Sequence, residues 1–200
     1  MRDQWYSDKR DLVKWGVLLE LARRYGAEHI LQVLYYRPSS YGRLNIQGEE
    51  CDLPPAVIRH FRRINAVTSI QCEAKVEVIE EVFKNRKPYL DLVLGRMHLR
   101  PHGPGIVLLD PDTGLAPSHP GPKHVLDKEL EAIWRELRQG DLLVFYQHRT
   151  NRKGVPWIDA KREQFERAIG LASGASKLAR APSIAGDVVF FYARKCGGAI

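Results

Sequence analysis

Apolar residues recur at helical spacing from Asp11 to Tyr25, where Leu12, Trp15, Val17, Leu18, Leu19, Leu21 and Ala22 precede Gly26. The pattern predicts an amphipathic helix that stops at the glycine. His29 to Tyr36 is apolar and rich in strand formers, and it breaks at Arg37-Pro38-Ser39-Ser40-Tyr41-Gly42-Arg43, so a strand feeding a polar loop is expected. Pro54-Pro55 suits the first turn of a helix running to Ile64, and Val67 to Cys72 reads as a short strand. Val76 to Lys84 is amphipathic, and Tyr89 to His98 reads as a helix. After the breakers Pro101, Gly103, Pro104 and Gly105 comes the clearest buried strand, Ile106-Val107-Leu108-Leu109. Asp127 to Arg138 places Leu130, Ile133, Trp134 and Leu137 on one side of a helix ended by Gly140. The strand Leu142 to Tyr146, a helix from Ile158 to Leu171, a small-residue loop from Ala172 to Ala185 and the strand Val188 to Tyr192 complete the chain.

Helices of this length alternating with buried strands predict crossover connections and a largely parallel sheet covered on both faces, a three-layer α/β/α sandwich in a single domain over 1–200. Such sheets take ligands beyond the carboxyl ends of their strands. Attention therefore falls on the residues after Tyr36, Leu109 and Tyr146.

Composition narrows the class of partner. In 200 residues, 44% hydrophobic, one sizeable core can form, and the formal net charge is +7 with a pI near 9.4. A positive excess favours a polyanion, because each phosphate contact releases condensed counterions; a basic but unspecialised surface is the alternative. Cys51, Cys72 and Cys196 are too few and too scattered for a disulfide framework or paired zinc ligands, which suits a reducing, cytoplasmic setting. The start, Met1-Arg2-Asp3-Gln4-Trp5, has no apolar core of signal length, and no apolar run reaches the roughly twenty residues needed to span a bilayer. A soluble protein without a membrane partner is expected. The sequence leaves the oligomeric state open.

Candidate chemistry gathers at two strand ends. Asp110-Pro111-Asp112-Thr113-Gly114 follows the Ile106–Leu109 run directly, so two carboxylates emerge from a buried framework. Proline and glycine allow their loop to be short and rigid. Paired carboxylates separate in pKa, leaving one ionised to orient or deprotonate water. The same five residues also make a good turn and nothing more. Tyr146-Gln147-His148-Arg149 is the second end: His148 could stabilise negative charge or move a proton, and Gln147 could bond a base edge. With Tyr36, Ser39 and Ser40, and neighbouring Tyr35, Pro38 and Tyr41, it forms the expected substrate-binding set. Arg149, Arg152, Lys153 and Trp157, joined by Lys14 and Arg37, combine charge with an aromatic face and predict nucleic-acid contacts, against the alternative of a solvated loop and helix. A second basic group, Arg59, Arg62 and Arg63, lies on the helix after Pro55. Asp8 or Asp11 is expected to cap the first helix, with a site role if that helix start overlies the crevice. His119 and His124 lack metal-ligand spacing, so no metal is expected.

Asp110-Pro111 at a middle strand resembles the Asp-Pro-Pro-Tyr segment with which amino-methyltransferases hold a base amino group. Those enzymes also carry a glycine-rich turn after an early strand, whereas here Tyr36 is followed by Arg-Pro-Ser-Ser, and the P-loop pattern is absent as well; no cofactor is expected. The chain also resembles the uracil-DNA glycosylase superfamily, with its Gly-Gln-Asp-Pro-Tyr and His-Pro-Ser segments. Asp110 and Pro111 would match the water-positioning aspartate and its proline, and His148 the histidine facing the departing base. Leu108-Leu109 stand for Gly-Gln, Asp112 for tyrosine, and Arg149-Thr150 for Pro-Ser. Taken with Asp8-x-x-Asp11-Leu12-Val13-Lys14-Trp15, the set is similar to antiphage DNA glycosylases that excise glucosylated hydroxymethylcytosine. That resemblance implies a DNA partner, base flipping and an abasic product, with Asp110 or Asp112 as catalytic acid. Methyl transfer with an atypical cofactor loop, and nucleic-acid binding without catalysis, are the alternatives.

Overall fold

The computed structural model describes residues 7–40, 42–149 and 156–197, with Phe61 described by its backbone alone. Helix α1 spans Lys9–Tyr25. Asp8 caps it by accepting from the backbone N–H groups of Arg10 and Asp11, and Gly26 ends it in the left-handed region at φ 64°, a conformation glycine adopts without a Cβ penalty. The remaining elements in chain order are β1 (His29–Val33), β2 (Leu44–Ile46), β3 (Glu49–Cys51), α2 (Pro55–Phe61), β4 (Lys75–Ile79), α3 (Arg86–His98), β5 (Gly105–Leu109), β6 (Gly114–Leu115), β7 (His124–Val125), α4 (Asp127–Glu136), β8 (Leu142–His148), α5 (Ile158–Ala168), β9 (Lys177–Ala179), α6 (Pro182–Ala185) and β10 (Val188–Arg194).

Six strands form the central sheet in the order β4-β1-β5-β8-β10-β9. The first four run parallel, but β10 is antiparallel to both β8 and β9, so the mostly parallel sheet is mixed at one end. The cause is chain length. Parallel neighbours need a crossover of a dozen or more residues, and only the short stretch holding α6 separates Ala179 from Val188.

Alternation along the strands divides the core. Leu31, Val33, Val107, Leu109, Leu143 and Phe145 pack on one side with Val93 of α3, Ile133 of α4 and Phe165 of α5. Ile30, Ile106, Leu108, Leu142, Val144 and Phe190 pack on the other with Val13, Leu18 and Leu21 of α1 and Ala185 of α6. Both faces of β5 are buried along its whole length, which is why this strand reads as an unbroken apolar run.

Three expectations fail locally, the first being the small-residue loop from Ala172 to Ala185, which contains the edge strand Lys177–Ala179 and the helix Pro182–Ala185. Val67 to Cys72 is not a strand; Ile64–Ser69 forms a 3-10 helix. Ile64 and Val67 are its buried residues, spaced three apart, while the hydroxyls of Thr68 and Ser69 bond back to the carbonyls of Asn65 and Ala66. Such local bonds compete with a sheet ladder. The polar loop after β1 also contains a small hairpin, β2 with β3, whose side chains are largely exposed.

Candidate functional site

The parallel strands β1, β5 and β8 end on one edge of the sheet, and because β10 is reversed, its beginning lies on that edge too. The amino end of α1 covers the same place. Together they enclose a cleft of about 380 Å3 lined by Asp8, Arg10, Asp11, Lys14, Asp110, Pro111, Asp112, Thr113, Tyr146 and His148. The three expected catalytic residues therefore share one cleft, and the start of α1 does overlie the crevice.

The Asp-Pro-Asp-Thr-Gly loop is held from three sides. The Asp110 N–H donates to the Val33 carbonyl, prolonging the ladder of β5 against β1; Thr113 donates to Lys123; and the His148 N–H donates to the Thr113 carbonyl at 2.8 Å. Beneath the loop lies Gln147, fully buried. It accepts from the Leu115 N–H and donates to the carbonyls of Thr113 and His148. Strand alternation turns Gln147 away from Tyr146 and the cleft, so the expectation that it reads a base is corrected: it props the loop. Gly114, at φ 137°, is required there, since a Cβ would come within 2.3 Å of the Gln147 amide.

At the floor of the cleft, Lys14 Nζ lies 2.5 Å from Asp11 Oδ1 and 2.7 Å from Asp110 Oδ2. Gln32 also donates to Asp110 Oδ2 at 2.7 Å, and the Asp11 Oδ2 accepts from the Ser7 N–H. Lys14 and Asp110 are each 2% exposed, so this is a dry ion triad. Burial opposes the lysine charge, but the two carboxylates outweigh it and hold Lys14 protonated well above its usual range. Burial pushes the Asp11 carboxyl up, with Lys14 opposing and Asp110 adding to the rise. Lys14 is thus corrected from a phosphate contact to the internal counterion of Asp110. Tyr146 stands beside it, its ring centroid 5.6 Å from Nζ, and burial raises its phenol so that it stays protonated.

A second chain of charges forms the wall. Arg10 donates from Nε and Nη2 to Asp187 Oδ2, at 3.1 and 2.5 Å, and from Nη1 to Asp8. Burial disfavours the Asp187 carboxylate, yet the Arg10 bond outweighs it and depresses its pKa. His148 Nε2 lies 3.3 Å from the same carboxylate oxygen, and its Nδ1 is 3.0 Å from the Arg149 carbonyl. Asp187 Oδ1 is buried and has no hydrogen-bond partner among the described residues. Sequence reasoning missed Asp187 because an acid before the last strand points at the ligand edge only if that strand is reversed. It also left out Arg10 and Tyr146 as cleft residues.

The remaining expected binding residues are dispersed. Asp112 is paired with Arg37, so Arg37 secures a cleft carboxylate. Tyr36 and Ser39 are buried and Ser40 is exposed; none of the three lines the cleft. Tyr36 packs with Leu34 and Ile64 instead. The turn responsible is at Tyr35, whose φ is 48°, an uncommon conformation for a bulky residue; its N–H donates to the Tyr89 hydroxyl. Trp157 is buried in the core with Phe165, not on a stacking face, because it immediately precedes α5 and enters the core with that helix. Arg149 is exposed, while Tyr41, Arg152 and Lys153 lie outside the described residues. His124 is buried, its Nδ1 accepting from the Gly121 N–H.

Among the described residues no group of three or more potential ligands is arranged to hold a metal ion, and no helix is long and apolar enough to cross a membrane. The chain matches no protein-family model and none of the curated proteins.

Proposed function

We propose that the protein hydrolyses the N-glycosidic bond of a modified base turned out of DNA, glucosylated hydroxymethylcytosine being the narrowest form of the reading. The observation that carries it is the charge of the cleft. Four carboxylates and two permanent cations line it in a chain whose formal net charge is +7. A net-acidic pocket in a basic protein suits a reaction that develops positive charge inside while phosphates remain outside. Glycoside cleavage has that character, through an oxocarbenium-like sugar, and the cleft volume falls within the range of small-molecule sites.

In this reading Asp110, held by Lys14 and Gln32, faces the cationic sugar, while Asp112, paired with Arg37, receives the proton of the attacking water. Water oxygen bonds to the anomeric carbon as the carbon–nitrogen bond breaks, and the departing base takes the bonding pair and a proton at the His148 wall. The three-layer α/β/α arrangement and a cytoplasmic setting belong to the same reading. Incubation with unmodified, hydroxymethylated and glucosylated DNA in chelator should release free base and leave alkali-labile sites, both lost in Asp110→Asn. Absence of released base from every substrate refutes it.

Methyl transfer to a base amino group is the second reading, favoured by Asp110-Pro111 standing at the end of a middle strand and lining the cleft. The end of β1 does not fit the cofactor: Leu34, Tyr35 and Tyr36 are buried there, and the Tyr35 N–H is spent on Tyr89. Label transfer from S-adenosylmethionine distinguishes the two.

A further inference from the structure

A second concavity, of about 650 Å3, adjoins the cleft along the outer flank of α1. Leu12, Trp15 and Leu19 form one wall, and Ala66, Val67 and Ile70 the other. Asp8 and Asp11 line both cavities, which makes the groove continuous with the cleft. Those two acids are already engaged, Asp11 by Lys14 and Asp8 by Arg10, so the groove offers an apolar lining. Leu12, on the first turn of α1, is 65% exposed.

The segment that supplies the far wall carries charge of one sign nearby in sequence. Residues 53–72 contain Arg59, Arg62 and Arg63 and no aspartate or glutamate. All three arginines are exposed, and Arg62 and Arg63 immediately precede the 3-10 helix that supplies Ala66 and Val67. Lys9, also exposed, lies on the near side. An apolar trough with Lys9 in its lining, exposed arginines next in sequence to its far wall and an opening from the cleft has the two components of a single-strand track: a surface for base faces and cations for phosphates.

We propose that this groove seats the base flanking the target in a DNA strand, its face against Leu12 and the edge of Trp15, with the strand's phosphates towards Arg63. The inference rests on reading the cleft as a base pocket, and it adds a second contact surface to the track expected after His148. A protein segment fits less well, because the groove leads straight into the cleft.

The test uses the full chain and single-stranded oligonucleotides carrying one 2-aminopurine at successive positions. Binding should change 2-aminopurine emission, and Leu12→Glu should weaken binding by about tenfold or more, the scale of one leucine side chain no longer covered, while leaving the melting temperature unchanged. Arg63→Gln should lower the slope of log affinity against log salt by about 0.7, as expected for one phosphate on a single strand. Unaltered affinity in Leu12→Glu together with an unaltered slope in Arg63→Gln overturns the proposal, as does a dimer that Leu12→Glu converts to monomer, which would assign the groove to a second copy. The readout is binding, so the two readings fail separately. Altered binding without base release from any DNA sinks the glycosylase and keeps the groove; base release with unaltered binding in both variants does the reverse.

Discussion

Replacing Lys14 with methionine keeps most of the side-chain volume and removes the charge together with its hydrogen bonds to the two carboxylates. Its Nζ lies 2.5 Å from Asp11 and 2.7 Å from Asp110, and its side chain is 3% exposed, so water cannot take over the role of counterion. Breaking a buried pair by deleting one partner costs about 3–5 kcal/mol, chiefly because the abandoned charges stay buried. For a chain of this length each kcal/mol moves the midpoint by about 2–4 °C, so Tm should fall by roughly 6–20 °C at neutral pH. The deficit should also depend on pH with a defined sign. Without the lysine, the Asp11 carboxyl, which burial already pushes up against the opposing pull of Lys14, rises further above the unfolded value of about 3.9. The folded state then holds more protons than the unfolded one between those two values, and stability falls as pH rises through that window. Differential scanning calorimetry of parent and variant from about pH 4 to pH 7.5 should therefore show the gap widening with pH. Adding Asp110→Asn to Lys14→Met should recover part of the loss, as expected for residues in direct contact. A variant melting within about 2 °C of the parent at neutral pH, or a gap independent of pH, would refute the account of Lys14 as a buried counterion.

Gly114→Ala should cost about 2–3 kcal/mol and loosen the Asp110 loop, because the new methyl would overlap Gln147 in a backbone conformation hostile to a side chain; denaturant unfolding reads the first effect and proteolytic nicking near the loop the second. Asp187→Asn should destabilise near neutral pH and not in strong acid: the Asp187 pKa is depressed when folded, so its contribution is present above the unfolded value and disappears as pH falls through the folded one. Urea midpoints across pH measure this, and an equal loss at every pH would exclude the ionic role.

The helix from Lys9 to Tyr25 and the strands Gly105–Leu109 and Leu142–His148 were legible because long periodic segments and uninterrupted apolar runs carry their own signal. Asp110, Asp112 and His148 were legible for a related reason: polar residues directly after a buried run must emerge at the sheet edge. Gln147 and Trp157 misled for the opposite reason. Their chemistry suits a ligand as well as a core, and only the strand's facing and the helix's approach decide which is met. Tyr36 misled because one left-handed residue, Tyr35, redirects the chain.

The sequence by itself determined that buried strands alternate with helices, that the chain is basic, and that two carboxylates and a histidine leave the ends of interior strands, since periodicity and composition are properties of contiguous residues. Tertiary structure alone decided that Lys14 is an internal counterion, that Asp187 faces His148, and that the cleft is acidic. Each depends on which segments meet across tens of residues. The reversal of β10 and the seating of α1 over the carboxyl edge set those meetings, and both are fixed by connection length and by core packing shared among distant elements, which no local pattern encodes.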